Sequence, residues 1–265
     1  MKRMLKSMLG MAVLVALFVA PAHATVIDLT TANSFGGAAA AIGGDYLAYW
    51  VDQQTTGTGV IEPFLRVQAN GEERGYNTDN DLHFDEKAGI WTHALLKNDI
   101  PVVNKNGKFY REFLLDINQN KGGDNEFLTL NQVQIFLTNV DPDDVSSVQE
   151  AAGANPFIVT FGGLTEIFRM SDNGNTDQIE LNFVLNPGSG AGDMFLYVED
   201  SLFAGAQTHV VFATHFGSPN GDHGTNDGFE EWAVVKRVND VPEPSSLLLL
   251  GAGLSLFAVR YRKQR

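Results

Sequence analysis

Residues 109–118 read FYREFLLDIN and predict the longest strand of the chain, because aromatic and branched apolar side chains favour extended backbone. The dipeptide Asn106-Gly107 stands just before them and favours the two-residue turn of a β-hairpin. A short apolar run at residues 101–103 precedes that turn. These residues therefore predict a hairpin near the middle of the sequence.

Short apolar runs of the same kind recur at intervals of roughly ten to fifteen residues, separated by connections rich in Gly, Asn and Asp. Residues 33–44 and 71–87 are small or polar and are predicted as loops. This density of short strands predicts an all-β fold, an antiparallel β-sandwich of jelly-roll-like form, rather than a parallel α/β sheet. The predicted strands are 26–29, 46–51, 60–68, 91–96, 101–103, 109–118, 128–130, 133–138, 156–161, 166–170, 179–185, 193–199, 207–212 and 231–236.

The N-terminus has the three parts of a secretory signal peptide. Basic side chains come first, an apolar stretch follows at residues 8–20, and the small residues Ala22 and Ala24 occupy the two positions that a signal peptidase recognises. We expect cleavage after Ala24, so that residues 1–24 form the signal peptide and residues 25–240 the β-sandwich domain. An uncleaved membrane helix is the alternative.

The C-terminal segment 241–265 combines a Pro-flanked acidic residue, Pro242-Glu243-Pro244, with a short apolar helix and a basic tail that includes Arg260 and Arg262. The helix, at residues 245–259, would be roughly 22 Å long, which is short of the ~30 Å hydrocarbon core of a bilayer. The two prolines hold the preceding chain extended and accessible. The segment therefore predicts a marginal transmembrane anchor. An ordinary single-pass anchor is the alternative, but it gives no reason for the Pro-Glu-Pro triplet.

This segment resembles the PEP-CTERM sorting signal of exported proteins, on the triplet, the apolar run and the terminal arginines. The resemblance implies recognition by an exosortase, a membrane transpeptidase that would cut near the triplet and discard the helix. It also implies a precursor held briefly in the inner membrane, then a place at the cell surface or in the extracellular matrix or biofilm of a Gram-negative cell. The sorting and processing residues are then Pro242, Glu243, Pro244, Arg260 and Arg262. Residues 57–68, 75–79, 111–119 and 228–232 are similar to a subgroup of such proteins and imply no further activity.

The charge of the chain excludes nucleic acid as a general partner. The protein has 18 Lys and Arg against 32 Asp and Glu. The two targeting segments carry seven of the basic residues and one of the acidic ones, which leaves eleven against thirty-one and a net charge near −20 for the domain. Such a domain repels phosphate backbones. It has no cysteine, so disulfides and thiolate metal sites are excluded as well.

The loop after the longest predicted strand has the spacing of a calcium loop. Oxygen-bearing side chains alternate along it, and a glycine turn separates them from two more acids, a pattern that lets a loop fold around a hard cation. Lys121 stands where an EF-hand loop has glycine, and Phe127 where it has the bidentate Glu. Ordinary turn residues that cap a hairpin are the alternative. Calcium is the only cofactor that the sequence suggests, and its candidate ligands are Asp116, Asn118, Asn120, Asp124 and Glu126.

The sequence offers two hypotheses for function. The first is a structural or adhesive surface protein that calcium could stiffen and that is not an enzyme, because the nucleophile and zinc-protease motifs are missing. The alternative is a carbohydrate-binding module or a hydrolase acting on exopolysaccharide, with paired carboxylates for hydrolysis. Tyr46, Tyr49 and Trp50 or Trp91 could stack on sugars, although aromatic side chains in strands more often fill the core. A groove lined by aromatic rings and carboxylates would favour this alternative.

Overall fold

The computed structural model describes residues 24–52, 60–79, 82–142, 148–151, 157–172, 176–217, 223–226 and 228–236. These residues form sixteen strands and short 3-10 turns with no α-helix, which confirms the all-β prediction for the described part of the chain. None of its helical turns is long and apolar enough to cross a bilayer. Apart from Ala24, the predicted signal peptide lies outside the described residues, and so does the whole C-terminal segment.

The strands are numbered in chain order. They are β1 (Val26–Leu29), β2 (Phe35–Ala39), β3 (Asp45–Trp50), β4 (Ile61–Val67), β5 (Glu72–Tyr76), β6 (Leu95–Leu96), β7 (Val102–Lys105), β8 (Lys108–Asp116), β9 (Phe127–Thr138), β10 (Val148–Glu150), β11 (Val159–Phe161), β12 (Thr165–Arg169), β13 (Gln178–Asn182), β14 (Met194–Glu199), β15 (His209–Gly217) and β16 (Glu230–Val235).

The strands form two seven-stranded sheets and a small hairpin of β10 and β11. The first sheet has the order β1-β13-β9-β15-β5, with β12 also on β9 and β6 on β15. The second sheet has the order β2-β3-β14-β8-β16-β4, with β7 also on β8. Neighbours pair antiparallel as predicted, except for β1 and β13, which are parallel. The jelly-roll-like connectivity stays a prediction.

The predicted hairpin is formed by β7 and β8. Lys105 pairs with Lys108, and the two residues between them, Asn106 and Gly107, have φ angles of 53° and 88°. Positive φ at both central positions is the turn that matches the twist of paired strands, and Asn and Gly adopt it at the lowest cost. The side chain of Asn104 accepts a hydrogen bond of 2.9 Å from the Gly107 amide, which fixes the turn further.

The main core lies between the two sheets, because alternate side chains of facing strands point inward. Phe113 and Leu115 of β8 are buried there with Phe212 of β15 and Trp232 of β16. The Phe212 ring lies 5.0 Å from Phe113 and 4.8 Å from Trp232, measured between centroids. The opposite side chains of β8, β14 and β16 lie on the outer face of the second sheet, where a smaller cluster includes Tyr110, Phe195 and Tyr197.

Two of the predicted loops contain strands. Residues 71–87 include β5, which was predicted as a loop because its sequence is polar. The residue that pairs with Phe216 and points inward is Glu73, whose carboxyl group is buried in the core. Residues 33–44 include β2, an edge strand rich in glycine. A Cβ atom on Gly36 would lie 2.6 Å from Ile27 Cγ2, so this strand needs glycine to pack against β1. Conversely, the predicted strand 91–96 is reduced to Leu95–Leu96.

Candidate functional site

The predicted calcium ligands lie between the end of β8 and the 3-10 turn before β9, and they differ in burial. Asp116 ends β8 and is buried, Asn118 and Glu126 are half-buried, and Asn120 and Asp124 are exposed. One Asp116 oxygen, Oδ2, accepts a hydrogen bond from the Gly190 amide, whereas Oδ1 has no donor among the described residues. Among all the residues that the structure describes, no group of three Asp, Glu or His side chains is placed to hold a metal ion. Calcium binding therefore stays a prediction.

A side-chain amide bridges the loop that was predicted to close around a cation. Asn226 Oδ1 accepts a hydrogen bond of 2.6 Å from the Asn120 amide, and Asn226 Nδ2 donates one of 2.8 Å to the Asn125 carbonyl. The two loops enclose a polar pocket beside His223, whose Nδ1 lies 2.6 Å from Glu180 Oε2. The loop thus has its own protein partner, about a hundred residues away in the sequence.

Two glutamates face each other across the end of the sandwich. Glu73 of β5 lies opposite Phe216, and Glu230 of β16 lies opposite Val67, so both side chains are on the inner faces of their sheets. Both residues are 0% exposed. Each carboxyl has one oxygen with a donor, from the Ala69 amide at 2.9 Å for Glu73 and from Gln119 Nε2 at 2.6 Å for Glu230. The second oxygens, Glu73 Oε1 and Glu230 Oε2, are buried with no other described group to bond to than the facing carboxyl.

Burial raises the pKa of Glu73 well above its ordinary value, and the charge of Glu230 and a hydrogen bond to it raise it further. Burial also raises the pKa of Glu230, but hydrogen bonds from Glu73, Gln119 and the Asn118 amide oppose the rise. Two buried carboxylates this close cannot both ionise without a large cost. We therefore assign the proton to Glu73, which donates it to the Glu230 carboxylate.

Two aspartates nearby share this electrostatic environment. Asp193 is 3% exposed, and its Oδ2 accepts a hydrogen bond of 2.7 Å from the Ile117 amide. Burial raises the pKa of Asp193 well above its ordinary range, with Asp116 and Glu230 adding to the rise. Burial likewise raises the pKa of Asp116 to about 7. Of these four acids, Asp116 is the one that the sequence places in the candidate calcium loop.

A groove of about 440 Å³ lies on the outer face of the second sheet, and we call it the aromatic groove. The Tyr49 ring stacks on Phe35 at 5.6 Å and meets the edge of Tyr197 at 5.5 Å, measured between centroids. Strand register brings these rings together, because Tyr49 of β3 pairs with Phe35 of β2 on one side and with Phe195 of β14 on the other. The groove is lined by Tyr49, Trp50, Val51, Asp52, Lys105, Glu112, Phe195, Tyr197 and Val235.

Charged groups surround the rings of the aromatic groove. Lys105 Nζ lies 4.3 Å from the Tyr197 ring centroid and 5.2 Å from that of Tyr49, within the range of cation–π attraction. Burial, together with the charge of Glu112 and a hydrogen bond to it, raises the pKa of Tyr197, which therefore stays a neutral hydroxyl that donates to Glu112. The indole N–H of Trp50 has no acceptor in the described part of the chain.

The aromatic residues singled out in the sequence separate into different environments. Tyr49 and Trp50 line the aromatic groove and are half-buried. Tyr46 is instead 0% exposed and packs edge-on against Phe168 in the core. Trp91 lies elsewhere, with the Arg66 guanidinium 4.5 Å from its ring centroid. Sequence reasoning missed Glu112, Phe195 and Tyr197 as groove residues, because only strand pairing brings them beside Tyr49.

Comparison with protein families identifies the C-terminal segment. A family model described as the PEP-CTERM protein-sorting motif matches residues 240–263. This confirms the predicted sorting signal and supports an exported, membrane-anchored precursor that an exosortase processes. The match includes the candidate processing residues, which lie outside the described structure: Pro242, Glu243, Pro244, Arg260 and Arg262. Of the candidate signal-cleavage residues, Ala22 also lies outside the described structure and Ala24 is exposed. No curated protein and no solved structure matches the chain.

Proposed function

We propose that this protein is sorted by an exosortase and acts outside the cell as a structural or adhesive component of the surface or extracellular matrix. The sorting motif at residues 240–263 is the observation that carries the proposal. The final strand of the second sheet, β16, ends at Val235, before the motif begins. An exosortase can therefore remove the tail without disturbing the described strands, and the β-sandwich domain that remains is the exported protein.

The charge and composition of the domain suit this place. A net charge near −20 keeps it soluble and away from anionic membrane surfaces after release. Without cysteines its stability comes from the core between the sheets, which does not depend on the redox state outside the cell. The groups that bind a partner are then expected on the outer faces of the sheets.

Replacing the Pro-Glu-Pro triplet with three alanines is expected to block processing. The uncut precursor should accumulate in the membrane fraction with its helix, because the extended site of recognition is lost. Immunoblotting of fractionated cells measures this, and the substitution Lys236→Ala, just ahead of the tail, is the matched control. Mature-sized protein at the surface of cells that carry the triple variant would refute exosortase sorting through this triplet.

The calcium part of the first hypothesis has its own test. Calcium at about 100 times its dissociation constant would stabilise the folded state by about 2.7 kcal/mol. In a domain of this size that raises Tm by about 5–10 °C. The prediction is that the rise is lost in Asp116→Asn, at the buried candidate ligand, and kept in Asp99→Asn, an exposed aspartate outside this loop. Equal Tm values in calcium and in chelator would remove calcium from the account.

A further inference from the structure

Three buried side-chain oxygens lack a hydrogen-bond donor where the chain leaves β8 and enters β14. They are Asp116 Oδ1, Asn186 Oδ1 and Asp193 Oδ1, and none of them has a donor among the described residues. The three residues are 4%, 1% and 3% exposed. An unpaired buried acceptor costs about 1–3 kcal/mol, and a charged one costs more. Since all three atoms are acceptors, they cannot satisfy one another and need a partner of positive character.

Strand register brings the two aspartates side by side. Leu115 of β8 pairs with Met194 of β14, and both side chains point into the main core. Successive side chains of a strand point to opposite faces, so Asp116, the next residue along β8, lies on the outer face. Asp193 directly precedes Met194 and lies on the same face, at the neighbouring position of the adjacent strand. Like charges at such positions repel each other.

Backbone amides hold each carboxyl group from the segment of the other. Asp116 Oδ2 accepts a hydrogen bond from the Gly190 amide, three residues before Asp193. Asp193 Oδ2 accepts one of 2.7 Å from the Ile117 amide, which directly follows Asp116. Both carboxyl groups are therefore fixed through Oδ2, and Oδ1 is the oxygen that remains for a ligand in each.

The amide group of Asn186 adds a neutral oxygen beside this pair. Its Nδ2 donates to the Gly192 carbonyl at 3.0 Å and to the Val51 carbonyl at 2.6 Å. Gly192 directly precedes Asp193, and the Val51 amide donates to the Asp193 carbonyl at 3.0 Å. Both N–H groups of this side chain are thus used on the backbone around Asp193. The side chain has no hydrogen left to give to either acid, and only its oxygen is unpaired.

A hard divalent cation satisfies these three oxygens together. Two carboxylates balance a charge of +2, and carboxylate and amide oxygens are the ligands that Ca²⁺ takes in proteins. Ordered water would supply donors but leave the two negative charges uncompensated. Mg²⁺ gives up its own water reluctantly and suits a buried pair less well, and transition metals favour nitrogen or sulfur ligands. A site with two acids also agrees with the lack of any group of three among the described residues.

We propose that Asp116 and Asp193 bind one Ca²⁺ ion between β8 and β14, with the side-chain oxygen of Asn186 as a neutral ligand and water completing the shell. The site shares only Asp116 with the loop predicted from the sequence. The inference rests on the proposed function, because export takes the domain outside the cell, where calcium-binding modules have dissociation constants of about 10⁻⁴–10⁻³ M. The ion would join neighbouring strands of the second sheet and so stiffen the sandwich.

Calorimetric titration with calcium chloride tests the proposal on the full-length protein in detergent, after metal has been removed with a chelator. We expect one ion per chain, and Asp193→Asn should weaken binding by about tenfold or more. Asp124→Asn and Glu126→Gln are the matched controls and should bind as the wild type does, whereas a site in the predicted loop would lose affinity in both.

Thermal melts of Asp193→Asn separate a lost ligand from a damaged fold. Asn keeps an oxygen for the Ile117 amide and removes a like charge beside Asp116, so in chelator the variant should melt no lower than the wild type. In saturating calcium the wild type should melt higher than the variant. A variant that melts lower by the same amount in both conditions would show that Asp193 has a structural role alone, and would overturn the site.

The outcome also separates this inference from the proposed function. Absence of calcium binding to the wild type, or loss of binding in Asp124→Asn and Glu126→Gln with Asp193→Asn unaffected, would overturn the site. Normal processing of the same protein at its C-terminus in cells would show that sorting is intact in that case. Failure of sorting alongside calcium binding that depends on Asp193 would instead overturn the proposed function and support the site.

Discussion

Replacing Trp232 with alanine is expected to remove about 3–5 kcal/mol from the free energy of unfolding, a large part of the about 5–15 kcal/mol typical of a domain. Trp232 is 0% exposed and lies where the two sheets meet, with its ring 4.8 Å from Phe212 and 6.3 Å from Phe216. Its indole N–H donates to Thr214 Oγ1 at 3.2 Å, and that hydroxyl is itself buried. Truncation therefore leaves a cavity and removes a donor from this hydroxyl, which keeps its own hydrogen bond to the Gln132 carbonyl.

Urea unfolding followed by circular dichroism measures the loss for Trp232. Trp91→Ala is the matched control, because Trp91 is only half-buried and contacts Arg66 at the surface. It should cost much less than Trp232→Ala. Equal losses for the two variants would contradict the placement of Trp232 in the shared core.

The substitution Glu73→Gln is expected to stabilise the protein at pH 8 to 9 and to flatten the dependence of its stability on pH. The folded-state pKa of Glu73 is raised well above 4.5, so the folded protein holds a proton that the unfolded chain releases. The stability that this proton supplies is complete below pH 4.5 and is lost as the pH rises through the folded-state pKa. A Gln side chain donates an N–H to Glu230 at every pH, so the variant avoids this loss.

Thermal melts in chelator from pH 4 to pH 9 test the assignment of the proton. Glu72→Gln is the matched control, because Glu72 lies on the opposite face of β5 and is half-buried. Glu230→Gln should destabilise at all pH values, since it removes the carboxylate that accepts from Gln119 and from the Asn118 amide. Stabilisation by Glu230→Gln and destabilisation by Glu73→Gln would reverse the roles of the two glutamates.

Much of the fold could be predicted because its signals are local. The turn at Asn106-Gly107 and the strand after it follow from neighbouring residues alone. β5 could not be predicted, because a strand is recognised by apolar side chains on its buried face. In β5 a buried position is occupied by the acidic residue Glu73 instead. That residue is tolerable only beside Glu230, on a strand more than a hundred residues away. The charge balance of the core is thus a property of the assembled sheets.

The candidate sites depend even more on strand pairing. Tyr49 and Trp50 could be singled out as aromatic, but the sequence does not distinguish them from the buried Tyr46. Glu112 lies in the groove because it pairs with Tyr197 across β8 and β14, a register that no local pattern specifies. The loop that follows Asp116 carries oxygen atoms at the right spacing for calcium. The hydrogen bond from the Asn120 backbone amide to Asn226 could not be predicted either, because the two residues are far apart in the sequence.

The mass of the mature protein recovered from the cell surface tests the central claim most directly. Intact-mass spectrometry of the wild type, together with mapping of its terminal peptides, is predicted to show a chain that begins at Thr25 and ends near Pro242-Glu243-Pro244. A surface protein that retains the apolar helix at residues 245–259 and the arginines after it would contradict sorting by an exosortase.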